Sequence, residues 1–164
     1  MSETHTSSPI VVVGCDGSDT ARAALALAAE HARSGGKLFC VHAYAMPDGW
    51  MTPRAANLML QEGMRRGEEV LEEARAAAEA VLDRDAIETE LIGGNAAKVI
   101  ADVATVRGAD EIIVGTRGFG RARALLGSVS HELIHLAPCP VTVIPERVAD
   151  RAAAGAEGSG AAAP

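Results

Sequence analysis

The chain has 164 residues, a formal net charge of −7, 48% apolar residues and only 2% aromatics. That is one domain's worth of sequence with a core of small aliphatic side chains; the scarcity of aromatics excludes base-stacking platforms, and the acidic balance opposes broad binding to nucleic acid or to anionic membranes. The opening "MSETHTSSP" has neither a basic n-region nor an apolar h-region, and no run of about 18 apolar residues follows it, so a cytoplasmic protein is expected.

In chain order, "PIVVVGCDGS" is a short β-branched run that ends in Gly and Asp, as a strand buried on both faces does. Ser18 or Asp19 then caps the Ala-rich helix "TARAALALAAEHAR", which stops at Gly35 and Gly36. "KLFCVHAY" is a second strand. After the irregular "AMPDGWMTPRAA", residues from near Leu58 to Asp83 form a long helix with Val70, Leu71, Ala74, Ala78 and Val81 at inward spacing and with Gly63 and Gly67 weakening its first turns. "AIETELI" alternates as a third strand, Gly93-Gly94-Asn95 turns into the helix "AAKVIADVATVRG", and "EIIVG" and "PVTVI" are strands four and five. Strands that alternate with helices pair in parallel through right-handed crossovers, giving an open α/β sheet with helices on both faces. The domain is expected over residues 9–146, between a disordered start (1–8) and a disordered Ala/Gly-rich tail (147–164).

Two motifs compete for function. "HELIH", residues 131–135, matches the H-E-x-x-H signature of zinc hydrolases, in which two His four apart on one helix face bind one Zn²⁺ beside a Glu base. Its helix can begin only after Gly127 and is stopped by Pro138 and Pro140. With Val129 at 0° and about 100° per residue, Leu133 and Leu136 fall near 40° and 340° but His131 and His135 near 200° and 240°, so the imidazoles point away from the core. No third His follows, and the zinc-protease reading is rejected.

The second motif is "VGTRGFGRARALLGSVS", residues 114–130, a Gly-rich loop that leaves a buried strand and opens a helix, where main-chain N–H groups and the helix dipole can hold phosphate. Gly115, Gly118 and Gly127 let the backbone approach an anion, Ser128 caps the helix or gives its hydroxyl to a phosphate, and Arg117, Arg121 and Arg123 concentrate positive charge. Ligands of such sheets bind at the carboxyl ends of the strands, at the switch point. There Asp16 suits a ribose hydroxyl or a Mg²⁺ ion, or equally serves as a turn or helix-cap residue, and His42 and Ala43 end the second strand where an adenine could rest. No activated nucleophile with its base and no G-x-x-x-x-G-K-S/T loop is present. Catalysis is therefore not expected, slow ATP hydrolysis aside. Cys15, Cys40 and Cys139 are too scattered for a disulfide framework and read as small buried thiols.

The segments "VVVGCDGSDTARAAL", "ADEIIVGTRGFG" and "LLGSVSHELIHLAPCPVTVI" resemble the universal stress proteins, over about Pro9 to Pro145. The resemblance implies a Rossmann-like fold of the adenine nucleotide alpha hydrolase type with strand order 3-2-1-4-5, and an adenine nucleotide, most simply ATP with Mg²⁺, bound by a stress-response sensor or regulator. It places Asp16 at the ribose or metal, Ala43 beside the base, Val114 and Gly115 at the sugar-phosphate turn, and Gly118, Gly127, Ser128 and Val129 along the phosphates. The nucleotide-binding branch follows G-x-x-G, nine residues, then G-S/T, whereas eight residues separate Gly118 from Gly127 here. That departure keeps two alternatives open, a member that binds cyclic AMP and a dimeric interaction scaffold without nucleotide. The resemblance further implies a homodimer through the final strand, Val141 to Ile144, and a protein partner that the sequence does not identify.

Overall fold

The computed structural model describes residues 8–116 and 127–151. In chain order the elements are β1 (Ile10–Gly14), α1 (Asp19–Ala32), β2 (Lys37–Tyr44), α2 (Pro53–Ala78), a 3₁₀ turn (Arg84–Ala86), β3 (Ile87–Gly93), α3 (Ala96–Arg107), β4 (Glu111–Gly115), α4 (Ser128–Leu136) and β5 (Val141–Ile144). All five strands pair in parallel in the order β3-β2-β1-β4-β5. The predicted open α/β sheet and its strand order are therefore what the chain adopts.

Strand alternation divides the core into two layers. Val11, Val13, Cys15, Leu38, Cys40, Ile113 and Ile144 face α1 and α2, whereas Val12, Phe39, Val41, Ile112 and Val114 face α3 and α4. Because aromatics are nearly absent, helices rich in Ala lie close to the sheet, with Ala24, Ala28, Ala97 and Ala104 fully buried. Such close approach explains Gly67, which sequence reading treats only as a weak helix former. A Cβ there would lie 2.4 Å from Leu91 Cδ1 and 2.8 Å from His42 Cδ2, so a side chain at this position would force Leu91 and His42, or α2 itself, to shift.

Three boundaries differ from the sequence reading. α2 starts at Pro53 rather than near Leu58, because Thr52 caps it by accepting from the Ala55 N–H and Pro53 takes the first helical position, where no N–H is needed. It also ends at Ala78 rather than Asp83. Tight turns then fold Val81 and Leu82 back against the core, with Val81 N–H on Ala78 O at 3.0 Å and Leu82 N–H on the same carbonyl at 2.9 Å. Residues 147–151, assigned above to the disordered tail, continue a helical turn begun at Glu146, and Ala149 is buried. No helix among the described residues is long and apolar enough to cross a membrane.

Candidate functional site

In this strand order β1 is central: the chain moves from β1 to β2 and β3 on one side, then crosses to β4 and β5 on the other. The carboxyl ends of β1 and β4 therefore flank the switch point, and the sequence fills both with short turns. After β1, Asp16 Oδ1 accepts from the Ser18 N–H at 2.9 Å, Gly17 adopts φ 82°, and Ser18 caps α1 by accepting from the Ala21 N–H. Of the two caps weighed from sequence, Ser18 is the one used. Asp16 is thus a turn former through one oxygen, and its second oxygen makes no hydrogen bond among the described residues.

A neighbour across the sheet fixes this turn. His42 Nδ1 donates to the Cys15 carbonyl at 2.7 Å, while the His42 ring packs beneath Gly67 of α2. His42 thereby ties the end of β2 to the residue before Asp16; the sequence offers His42 as a strand end or, with Ala43, as a wall for an adenine, and this positioning role is not visible in it. Ala43 follows it, partly buried against the α3/α4 layer.

On the other side, Val114 is buried and Gly115 lies under the first turn of α1. A Cβ at Gly115 would stand 2.4 Å from Thr20 Oγ1 and 2.8 Å from the Thr20 carbonyl carbon, so β4 and α1 meet here only because residue 115 has no side chain. The chain departs at Thr116 and re-enters at Gly127, and these two residues are joined directly by Gly127 N–H to Thr116 O at 2.6 Å. Arg117 and Gly118, together with Arg121 and Arg123, lie outside the described residues.

Gly127 is the N-cap of α4, and among the described residues no side-chain cap bond is made to the first-turn N–H groups. Ser128, one of whose two expected roles was to cap, instead occupies the first helical position with an exposed side chain, and Val129 follows it. The α4 start therefore offers donors without a side-chain acceptor among the described residues, and the positive end of a helix dipole, toward the switch point. Ser130, which sequence reading passed over, is buried and holds the base of the loop: its hydroxyl lies 3.0 Å from Gly127 O and 3.5 Å from Thr116 O. Both carbonyls already accept backbone N–H groups. Ser130→Ala should accordingly cost only about 1 kcal/mol, as read by urea denaturation, because no acceptor is left wholly unpaired.

Elsewhere among the described residues, neither the cysteines nor the largely apolar space between α1 and α2 makes a competing centre. Cys15 and Cys40 are buried in the α1/α2 layer. Hydrogen bonding to Cys40, then burial, pushes the Cys15 thiol well above its ordinary range, and burial together with Asp110 and Glu111 raises that of half-buried Cys139. Neither is an activated nucleophile. A mostly apolar cavity of 290 Å³ between α1 and α2, lined by Cys15, Ala21, Leu25, Val70 and Ala74 among others, lies in the layer opposite α4; its one cation among the described residues, Arg22, is paired with Asp19 and Glu73, and the acidic rim does not suit a phosphate.

The HELIH helix is also placed. His131 and His135 are exposed and Leu133 is fully buried, as the angular reading requires. Its apolar stripe differs, however: Val129 and Leu136 are 37% and 46% exposed, and the buried face is Ser130 and Leu133, with Ala137 packed behind them. The Glu132 carboxylate accepts from Asn95 Nδ2 at 3.1 Å, and no cluster of three or more His, Cys, Asp or Glu among the described residues is arranged to hold a metal. That is not the cleft of a zinc hydrolase.

The family model described as "Universal stress protein family" matches residues 9–145. The chain belongs to the universal stress protein family. A universal stress protein of Thermus aquaticus is 36% identical over 137 residues, covering 82% of this chain and 96% of that one. Among solved structures, a universal stress protein in complex with cAMP is 30% identical, with TM-score 0.65 over 84% of this chain and 98% of the other. The universal stress protein of Archaeoglobus fulgidus in complex with dAMP is 27% identical, with TM-score 0.63 over the same two shares, 84% and 98%.

Proposed function

We propose that this universal stress protein binds an adenine nucleotide, ATP with Mg²⁺, at the carboxyl ends of β1 and β4, and works as a cytoplasmic regulator rather than as an enzyme. The observation that carries this reading is the uncapped start of α4 beside Gly115, brought to the same edge of the sheet as the Asp16 turn. Asp16 offers its second oxygen to a ribose hydroxyl or to Mg²⁺, Ala43 walls the base, and Val114 and Gly115 carry the sugar-phosphate turn. Gly127, Ser128 and Val129 give N–H groups and a hydroxyl to the phosphates, with Arg117 and Gly118 completing the cradle. That relatives of similar length were solved with cAMP and with dAMP supports the nucleotide class.

In this reading the chain also forms a homodimer through β5, Val141–Ile144. The sheet has two edges, and their chemistry differs. β3 carries Glu88 and Glu90, paired with Lys37 and Arg107, and such charges discourage strand addition. β5 reads Val-Thr-Val-Ile without a charge and is the edge that a second copy can cover. Occupancy of the nucleotide site then changes the face shown to a protein partner, including the segment with Trp50, which is 83% exposed.

A second reading, cyclic AMP in place of ATP, is favoured by the eight-residue spacer between Gly118 and Gly127, which suits one phosphate rather than three. Mass spectrometry of nucleotide retained by the purified protein, followed by competition between ATP and cyclic AMP, separates the readings. ATP displacing cyclic AMP at lower concentration supports the first, the reverse order supports the second, and neither binding to a folded dimer leaves the interaction scaffold.

A further inference from the structure

The HELIH segment is not part of the nucleotide site, yet its two imidazoles are arranged with a specific geometry. His131 and His135 are both exposed on the face of α4 opposite buried Leu133, and their ring centroids are 5.4 Å apart with the rings at 77°. An imidazole centroid lies roughly 1.1 Å beyond its ligating nitrogen, so two imidazoles held at about 2.0–2.1 Å on one tetrahedral ion put their centroids about 5.2 Å apart, against about 4.5 Å at a right angle. The rings meet edge to face, an ordinary arrangement for neighbouring aromatic rings, and at 5.4 Å they are close enough for side-chain rotation to bring one nitrogen of each onto a common tetrahedral ion.

We propose that His131 and His135 form a two-imidazole Zn²⁺ site on the outer face of α4, with water or an external ligand in the two remaining positions. Three further observations shape it. The side chains are four apart on a formed helix, with the His131 N–H on Gly127 O at 3.0 Å, so only side-chain rotations separate the apo and bound arrangements. Glu132 is engaged with Asn95 and takes no part. Both side chains lie on the exposed face of α4, so the core does not obstruct the pair. Two ligands clip one turn of the helix whose first turn carries Ser128 and Val129, and an ion bound only to the folded chain stabilises it.

The test uses tag-free full-length protein without nucleotide, titrated with ZnCl₂ or MgCl₂ in a non-chelating buffer, beside His131→Ala, His135→Ala and the double variant. Expected are one Zn²⁺ per chain with no response to Mg²⁺, at least tenfold weaker binding in each single variant, and a zinc-dependent rise in Tm that the double variant lacks. Cobalt(II) at the same site should give the intense visible absorption of tetrahedral coordination. Equal zinc affinity in the double variant, no binding by the wild type, or a weak octahedral cobalt spectrum would each overturn the proposal. Since both side chains are exposed, the variants should keep the wild-type Tm in the absence of metal.

Discussion

Gly115→Ala is expected to destabilise the protein by about 3 kcal/mol and to abolish whatever nucleotide binding the wild type shows. The added Cβ meets Thr20 Oγ1 at 2.4 Å, its Cβ at 2.7 Å and its carbonyl carbon at 2.8 Å, so a side-chain rotation cannot relieve the contact. Either the first turn of α1 or the end of β4 must move, which puts the cost at the upper end of overpacking. A second glycine shows why the neighbour's identity decides. At Gly14 the nearest atoms are Ile100 Cδ1 at 3.0 Å and Val114 Cγ1 at 3.1 Å, side-chain atoms that need give way by only a few tenths of an ångström, so Gly14→Ala should cost about 1 kcal/mol. Urea denaturation of both variants reads the difference, and equal costs would show that α1 does not press on β4 as described.

Leu133→Ala should cost about 3–4 kcal/mol. Leu133 is 0% exposed, packs in the layer formed by Ala97, Ile100, Ala101, Ala104 and Val114, and is the one large apolar side chain of α4 that is fully buried among the described residues. Truncation loses its transfer free energy and leaves a cavity that the short helix cannot close without moving its first turn. The exposed positions of the same helix predict the contrast: Ile134→Ala and Leu136→Ala, each about half exposed, should change stability by no more than about 1 kcal/mol. Chemical denaturation again supplies the measurement, and a small loss at Leu133 would mean that α4 is not anchored where the phosphate reading needs it.

Much of this architecture was legible because burial on both faces leaves continuous β-branched runs, which "IVVVG", "EIIVG" and "VTVI" display, and because helices between them oblige parallel pairing. The resemblance to the universal stress proteins supplied the strand order, which periodicity alone does not contain. The site was legible to the level of which strand ends meet. What escaped depends on contacts between segments far apart in sequence. Gly67 looks like a helix defect until His42 and Leu91 are seen beneath it, and His42 looks like a strand end until its Nδ1 is seen on Cys15 O. Ser130 is one more polar helix residue until the chain returns Thr116 to its hydroxyl. The start of α2 differs for a local reason: "TP" lies within the stretch read as irregular, although proline at the first turn of a helix starts one. The angular reading of α4 placed the histidines on the correct side but misjudged the stripe, because the sheet lies nearest Ser130 and Leu133 rather than Val129.

The central claim is that nucleotide phosphates bind at the start of α4, and one titration addresses it directly. Gly127 sits at the N-cap with φ −71° and ψ 163°, a conformation open to aspartate and asparagine, which both cap helices better than glycine. Gly127→Asp and Gly127→Asn should therefore fold at least as well as the wild type, while only the first places a negative charge among the donors offered to phosphate. Isothermal titration with ATP and Mg²⁺ is expected to give micromolar binding by the wild type, weaker binding by Gly127→Asn, whose side-chain oxygen competes for one of the donors, and none detectable by Gly127→Asp. ATP bound equally well by all three proteins, or by none of them, would contradict the account.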